Sequence, residues 1–322
     1  MTVIDYISVD DIRAAQKRIS DSILRTPLIR FNKSDTPAKI YLKLENLQPI
    51  GSFKLRGAGN AMNLAGEECL ADGVYTASMG NMAQGIAWNA KRLGIPCSII
   101  VPDNAPEAKL KAINRLGGEI IRVTFEEWWQ VLMTGKYEGI AGHFIHPVCD
   151  PDVIAGHGTI GLEILEDLPG VDAVVIPFGG GALSSGIATA IRAIKPDTKL
   201  YACEVETAAP LHLSIRRGKP CEVDYKRSFV EGIGGKSVIP EMWPLVSNLL
   251  DGSLVMSLRE IADAIRLLIE LNSVVAEGAG AAPVAAALSG KAGTGKVVCV
   301  ISGGNIDADK LSQILVGQIP EF

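Results

Sequence analysis

The sequence predicts an α/β protein built on parallel sheet, and three observations carry that expectation. Short β-branched runs recur along the 322 residues, and several end in Gly, Pro or Asn. Ala-rich stretches with helical periodicity follow them, which is the alternation of βα units. Hydrophobic residues make up 48% and charged residues 21%, aromatic residues only 5%, and mean hydropathy is +0.24. That balance suits a sheet of Val, Ile, Leu and Ala covered by helices on both faces.

The strands are expected at residues 73–77, 97–101, 119–123, 173–177, 199–204 and 296–301. A helix over 83–93 carries Ile86, Ala87, Ala90 and Leu93 on one face, and a helix over 261–271 repeats the pattern with Ile261, Ile265, Leu268 and Ile269. Three strand–helix units lie between about residues 73 and 147, and a turn bearing Pro and Asp at 146–152 closes them. The expected organisation is a small domain, 73–148, inserted in a large domain made of 1–72 and 149–322.

A net charge of −5, with basic residues spread along the chain, gives no electrostatic basis for binding nucleic acid. The most apolar stretches, 171–178 and 297–301, are too short to span a bilayer. Residues 1–12 include Asp5, Asp10 and Asp11 and lack the basic start and apolar run of a signal peptide, so a cytoplasmic protein is expected. Six scattered cysteines without a C-x-x-C pair fit a reducing compartment. The four histidines form no metal-binding motif; His157, in Ala155-Gly156-His157-Gly158-Thr159, is the one in a glycine-rich setting that could approach the site, a structural role being expected before that, and the Trp128-Trp129 pair is expected to serve packing.

Four segments carry chemistry. In Lys43-Leu44-Glu45-Asn46-Leu47-Gln48-Pro49-Ile50-Gly51-Ser52-Phe53-Lys54-Leu55-Arg56-Gly57-Ala58 a strand runs through a Gly-Ser turn into a helix start. Free N–H groups and the positive dipole end there favour the neutral amine of Lys54, a candidate Schiff-base nucleophile. Ser78-Met79-Gly80-Asn81-Met82-Ala83-Gln84-Gly85 follows a strand and opens a helix, a place where backbone N–H groups can hold a carboxylate. Phe178-Gly179-Gly180-Gly181-Ala182-Leu183-Ser184-Ser185-Gly186 lets the backbone close round a phosphate at the start of a helix bearing Ile187, Ile191 and Ile194. Ser302-Gly303-Gly304-Asn305 follows the last strand, where ligands meet the carboxyl edge of an open sheet. Taken singly, each has a plain structural counterpart: a surface lysine, an N-cap, a packing turn and a strand-to-helix turn.

Together and in this order, the four segments resemble the fold-type II pyridoxal-phosphate enzymes, specifically the threonine and serine dehydratases and serine racemase, over nearly the whole chain. The resemblance implies a tryptophan synthase β-like fold, pyridoxal 5'-phosphate as cofactor and a homodimer or homotetramer acting on an amino-acid substrate. It implies Lys54 as the Schiff-base lysine, Phe53 against the cofactor ring and Asn81 on its phenolic oxygen. Gly179, Gly180, Gly181, Ala182 and Leu183 would cradle the phosphate, and Ser302 would meet the pyridine nitrogen. The substrate carboxylate would rest on Ser78, Met79, Gly80, Asn81 and Met82. Freed Lys54 would take the α-proton, and a hydroxyl at Ser302 disfavours a long-lived carbanion, so loss of a β-hydroxyl follows.

The departures refine this expectation. Where relatives show Ser-Ser-Gly-Asn-His, this chain has Met79 for the second serine and Met82 for the histidine. In the racemases that serine is the acid opposite the lysine, and methionine has no proton to give, so a dehydratase is expected before a racemase. Two apolar side chains by the carboxylate loop also suggest a substrate with an apolar β-substituent, as in phenylserine. Relatives with a divalent-cation site use an acid at the position of Glu204, a carbonyl and a second acid; here the second acid is Pro210, which puts a metal in doubt. The chain ends soon after Ser302, leaving no room for the regulatory domain of biosynthetic threonine dehydratases. The rival cofactor is NAD, since Gly179-x-Gly181 followed by Glu204 resembles a dinucleotide fingerprint, although that leaves Lys54 without a role. A silent binding module on the same fold would have no use for Lys54 either.

Overall fold

The computed structural model describes Val3, Ile4 and residues 6–321; Met1, Thr2 and Asp5 of the acidic N-terminal segment lie outside the described residues, as does Phe322. In chain order come α1 (Val9–Arg18), β1 (Leu28–Arg30), β2 (Lys39–Lys43), α2 (Lys54–Cys69), β3 (Val74–Ala77), α3 (Asn81–Leu93), β4 (Cys97–Pro102), α4 (Glu107–Arg115), β5 (Glu119–Val123), α5 (Phe125–Thr134) and β6 (His143–Phe144). They continue with α6 (Pro151–Asp167), β7 (Ala173–Pro177), α7 (Ala182–Ile194), β8 (Lys199–Val205), α8 (Pro210–Arg217), α9 (Trp243–Leu249), β9 (Gly252–Met256), α10 (Leu258–Asn272), α11 (Gly278–Leu288), β10 (Lys296–Val300) and α12 (Ala308–Leu315).

These strands form a six-stranded sheet, β1-β2-β10-β7-β8-β9, and a four-stranded sheet, β5-β4-β3-β6. Every pairing is parallel except β1 with β2. The large sheet is apolar on both faces because side chains alternate. Val174, Ile176, Val298 and Val300 enter one core, while Ala173, Val175, Val297, Cys299 and Ile301 enter the other. Alanine-rich α11 closes the second face, and its small side chains let it lie close to the strands.

The β-branched runs are strands where expected. The strand leading to the Gly51-Ser52 turn is β2, whereas β1, β6 and β9 are additions, short and only partly buried, and so poor in the apolar pattern that marks a strand. The turn at 146–152 gives way early to α6, because Asp150 caps it by accepting hydrogen bonds from the N–H groups of Asp152 and Val153, and Pro151 fits its first position. Two expected helix faces are trimmed at their ends: Leu93 and Ile194, each in a last turn, are 36% and 47% exposed, while Ile86, Ala87, Ala90, Ile187 and Ile191 are buried. Trp128 packs on the core of the smaller sheet, and Trp129 is 51% exposed. Cys97, Cys203 and Cys299 are buried, and all six cysteines are free. Among the described residues no helix is long and apolar enough to cross a membrane.

Candidate active site

Three neighbouring strands of the large sheet, β2, β10 and β7, end side by side, and their exits bring distant segments together. The β2 exit is stitched to the β10 exit: Phe53 N donates to Ser302 O at 3.0 Å and Gly304 N to Gly51 O at 3.0 Å, with a bridge between Ser52 and Gly303. Gly51 needs its left-handed backbone, φ +69°, for the turn that starts this arrangement. Lys54 is therefore set at the first turn of α2 beside Ser302, although the two are far apart in sequence.

The Lys54 amine enters a cavity of about 170 Å³ and donates to Pro147 O at 2.9 Å. Burial lowers its pKa to about 8, so a useful fraction of neutral amine exists near neutrality. The carbonyl that holds it is fixed by His146, whose Nδ1 accepts from the N–H groups of Val148 and Cys149 at 3.0 and 2.7 Å. Burial, with the nearby charge of Lys54, lowers His146 to about 4 and keeps that nitrogen an acceptor. His146 belongs to no motif in the sequence, and its place two residues after β6 gives no signal for this role.

Phe53, Lys54, Ser78, Asn81, Met82, Gly179, Gly180, Gly181, Ala182, Leu183 and Ser302 all border the cavity. Gly80 borders a neighbouring one. Met79 borders neither, and its side chain packs against the core around α3. Gly181 sits at φ +102° as the N-cap of α7, and a Cβ on Gly180 would lie 2.6 Å from the Val148 side chain. The glycine run is thus needed for both conformation and close approach. The Ser302 hydroxyl faces the cavity region with no hydrogen-bond partner among the described residues. Val148, Gly232, Ile233 and Glu277, which no sequence motif marks, also line the walls, with Pro147, Pro177 and Ala279.

Beneath Lys54, α2 is anchored by a buried ionic cluster. Arg56 grips Glu45 with Nε and Nη2, both at 2.8 Å, and Glu163 with Nη1 and Nη2 at 2.6 and 2.9 Å. Lys43 Nζ adds a bond to Glu163 at 2.5 Å. His157 lies on the other side, its ring 4.6 Å from that of Phe53 and reached through Gly57, where a Cβ would come within 2.3 Å of it. Burial, helped by the charges of Lys54 and Arg56, holds His157 well below its ordinary pKa, so it packs as a neutral ring behind Phe53.

The family model for pyridoxal-phosphate dependent enzymes matches residues 19–303, which takes in the first three segments and reaches Ser302 and Gly303 of the fourth. The chain belongs to that family. L-threonine ammonia-lyase of Thermotoga maritima is 42% identical over 96% of this chain and 78% of its own length. A catabolic L-threonine dehydratase of Staphylococcus aureus is 37% identical over 96% of this chain and 92% of its own length. Among solved structures, maize serine racemase superposes with a TM-score of 0.88 at 33% identity, covering 96% of this chain and 97% of that one. Threonine deaminase isoform 2 of Solanum lycopersicum gives 0.86 at 33% identity, covering 96% and 86%.

The cavity fits the family's pyridoxal phosphate on its own terms: an amine of lowered pKa, an unpartnered hydroxyl and a glycine cradle at a helix start converge on it. It does not support the NAD alternative. Glu204, the acid of the apparent dinucleotide fingerprint, accepts from the N–H groups of Leu211 and His212 at 2.8 and 2.7 Å and from the Ser253 hydroxyl at 2.5 Å. The same bonds bear on the cation site of pyridoxal-phosphate relatives. Pro210, expected at the position of a second acid, opens α8, and the positive end of that helix meets Glu204. Among the described residues no cluster of acids, histidines or cysteines could hold a metal ion. Treatment with a chelator, followed by assay and thermal melt, is expected to leave both turnover and melting temperature unchanged.

Proposed function

We propose that this pyridoxal-phosphate enzyme is a dehydratase that converts a β-hydroxy amino acid to a 2-keto acid and ammonium. The observation that carries the reading is a single depressed lysine amine in the cavity, Lys54, combined with a thioether, Met79, at the position racemases give to their second proton carrier. The threonine ammonia-lyase and dehydratase relatives support it.

In this reading Gly179, Gly180, Gly181, Ala182 and Leu183 hold the cofactor phosphate, Asn81 its phenolic oxygen and Ser302 its pyridine nitrogen, while Phe53 lies along the ring. Residues 1–72 and 149–322 form the cofactor domain, and 73–148 present the loop that takes the substrate carboxylate on Ser78, Met79, Gly80, Asn81 and Met82. When bound, the cofactor supplies the electron sink that lets the α-proton leave. Lys54, held by Pro147 O, accepts that proton at Nζ. The β-hydroxyl leaves with a proton as water, and the enamine released tautomerises to an imine that water hydrolyses to the keto acid and ammonium.

Met82, buried and lining the cavity with Val148 and Ile233, gives the substrate an apolar wall and favours a methyl or larger β-substituent over none. Met79 adds nothing to that wall, so the case for an aromatic substituent rests on Met82 alone. Keto-acid release from L-threonine, L-serine and threo-phenylserine tests this: kcat/KM is expected to be higher for threonine or phenylserine than for serine. A preference for serine would remove the apolar wall from the account and keep the reaction.

A further inference from the structure

Glu277 is the lone charged residue between Glu270 and Lys291 in the sequence. It precedes α11 as its N-cap residue, yet its side chain makes no capping bond. The carboxyl instead borders both the cavity that Lys54 enters and a neighbouring cavity of about 270 Å³, which share Asn81, Gly232 and Glu277. Its Oε1 accepts from Asn81 Nδ2 at 3.1 Å, its one hydrogen bond among the described residues. A Cβ on Gly303 would lie 2.5 Å from that oxygen, so the loop after β10 closes tightly over it.

The Asn81 carboxamide cannot turn away from Glu277. Its Oδ1 accepts from Asn305 Nδ2 at 2.8 Å, and the same Asn305 nitrogen donates to Ile50 O at 2.9 Å. With the oxygen pinned by a donor, the amide nitrogen must point at the carboxyl. The charged groups around Glu277 come from several elements. Lys109 on α4 and Lys310 on α12 both bond Glu231, Lys310 at 2.6 Å, so an acid already engages the two ammonium groups nearest the larger cavity. Arg115 and Asp307 also line that cavity, and Lys54 lines the smaller one. Burial is the largest influence on Glu277; it outweighs the Asn81 bond and Lys109, is assisted by Glu231, and raises the pKa to about 7.

We propose that Glu277 is a positioning residue that must carry a proton for the substrate carboxylate to settle on the loop 78–82, so that binding is coupled to one proton. The proposal rests on the reading of that loop as the carboxylate site. The physical reason is like-charge repulsion: an ionised Glu277 and a substrate carboxylate would share the neighbourhood of one amide, Asn81, in a site where burial already penalises charge. A protonated Glu277 removes the repulsion and keeps the hydrogen bond that orients Asn81.

The test uses the holoenzyme and L-2-aminobutyrate, which has the carboxylate and amine of a substrate but no β-hydroxyl to lose. Its dissociation constant is read from the change in the visible spectrum, for wild type and Glu277→Gln, from about pH 6 to about pH 8.5. Glutamine mimics the protonated acid. The two proteins are expected to bind alike at the acid end, and the variant to bind about tenfold or more tightly than wild type at the alkaline end, a coupling of about one pKa unit or more. The titrations of the ligand amine and of Lys54 are common to both proteins and cancel in the ratio. With L-threonine the difference is expected in KM, with kcat nearly unchanged. A constant ratio across pH overturns the proposal, and so does absence of binding to wild type at the acid end. Failure of keto-acid release from every β-hydroxy amino acid would instead sink the dehydratase reading, while the spectral ratio still decides the role of Glu277.

Discussion

Lys54→Ala is expected to abolish the visible absorption of the holoenzyme and to lower keto-acid release by about 10⁴-fold or more. The substitution removes at once the amine that would bind the cofactor covalently and the base that would take the α-proton. No other amine among the cavity-lining residues could replace it. The glycine cradle is untouched, so the variant should still take up the cofactor, reversibly, and lose it on dialysis where wild type does not. Folding should not suffer. The Lys54 amine is desolvated and makes one hydrogen bond, to Pro147 O, so its loss trades a bond worth about 1 kcal/mol against relief of a buried charge. A retained absorption band, or turnover within tenfold of wild type at about the same pH, would place the chemistry elsewhere.

The largest effect on stability is expected at Arg56. Its guanidinium forks onto both Glu45 and Glu163 and adds a bond to Thr159 at 3.0 Å, all of it buried. Arg56→Ala leaves two carboxylates facing Lys43 alone, and breaking a buried pair of this kind costs about 3–5 kcal/mol. Arg56→Lys should rescue little, because one ammonium cannot grip two carboxylates at both oxygens. The pH dependence follows from Glu45. Burial raises its pKa, but the charge of Arg56 and its hydrogen bonds prevail, with Lys43 and Thr26, and the folded value lies below the ordinary one. Its contribution to stability is therefore present above the unfolded glutamate pKa and is lost as pH falls through the folded one. In Arg56→Ala burial is opposed only by Lys43 and the Thr26 hydrogen bond, so the acid limb of stability moves to higher pH. Denaturant unfolding of both proteins at neutral and mildly acidic pH measures the shift; parallel curves would show that the cluster is not held by charge.

The sequence made the site legible in proportion to how local its causes are. The glycine run 179–181 and the turn before Lys54 announce themselves because a backbone conformation demands particular residues in succession. The central strands are legible for a similar reason: buried on both faces, they read as unbroken apolar runs. Edge strands β1 and β9 do not, since water on part of their surface permits any composition. Met79 shows the limit of reading a side chain from its neighbours: it belongs to the right loop but turns into the core around α3. His146 and Glu277 depend on partners from other elements, and no spacing encodes those. Glu277 left one trace, a single charge in a long apolar stretch, which could have marked it. The ions of the first motif carried two meanings at once: Lys43, Glu45 and Arg56 read as flanking residues of Lys54, and they prove to be the anchor of its helix.

The seam between β2 and β10 bears on how the molecule comes into being. Lys39 pairs with Lys296, so an elongating chain exposes the edge of β2 until about 250 further residues have been made. At ordinary rates of synthesis that delay is on the order of tens of seconds. The smaller sheet closes within its own stretch of chain and can form first, whereas the Ser302 loop that seats Lys54 comes only with β10. One strand thus does two jobs: β10 covers the edge of β2 that would otherwise stay open to other chains, and its exit brings the Ser302 loop against the Lys54 turn, so the cofactor's seat cannot be assembled before that edge is protected.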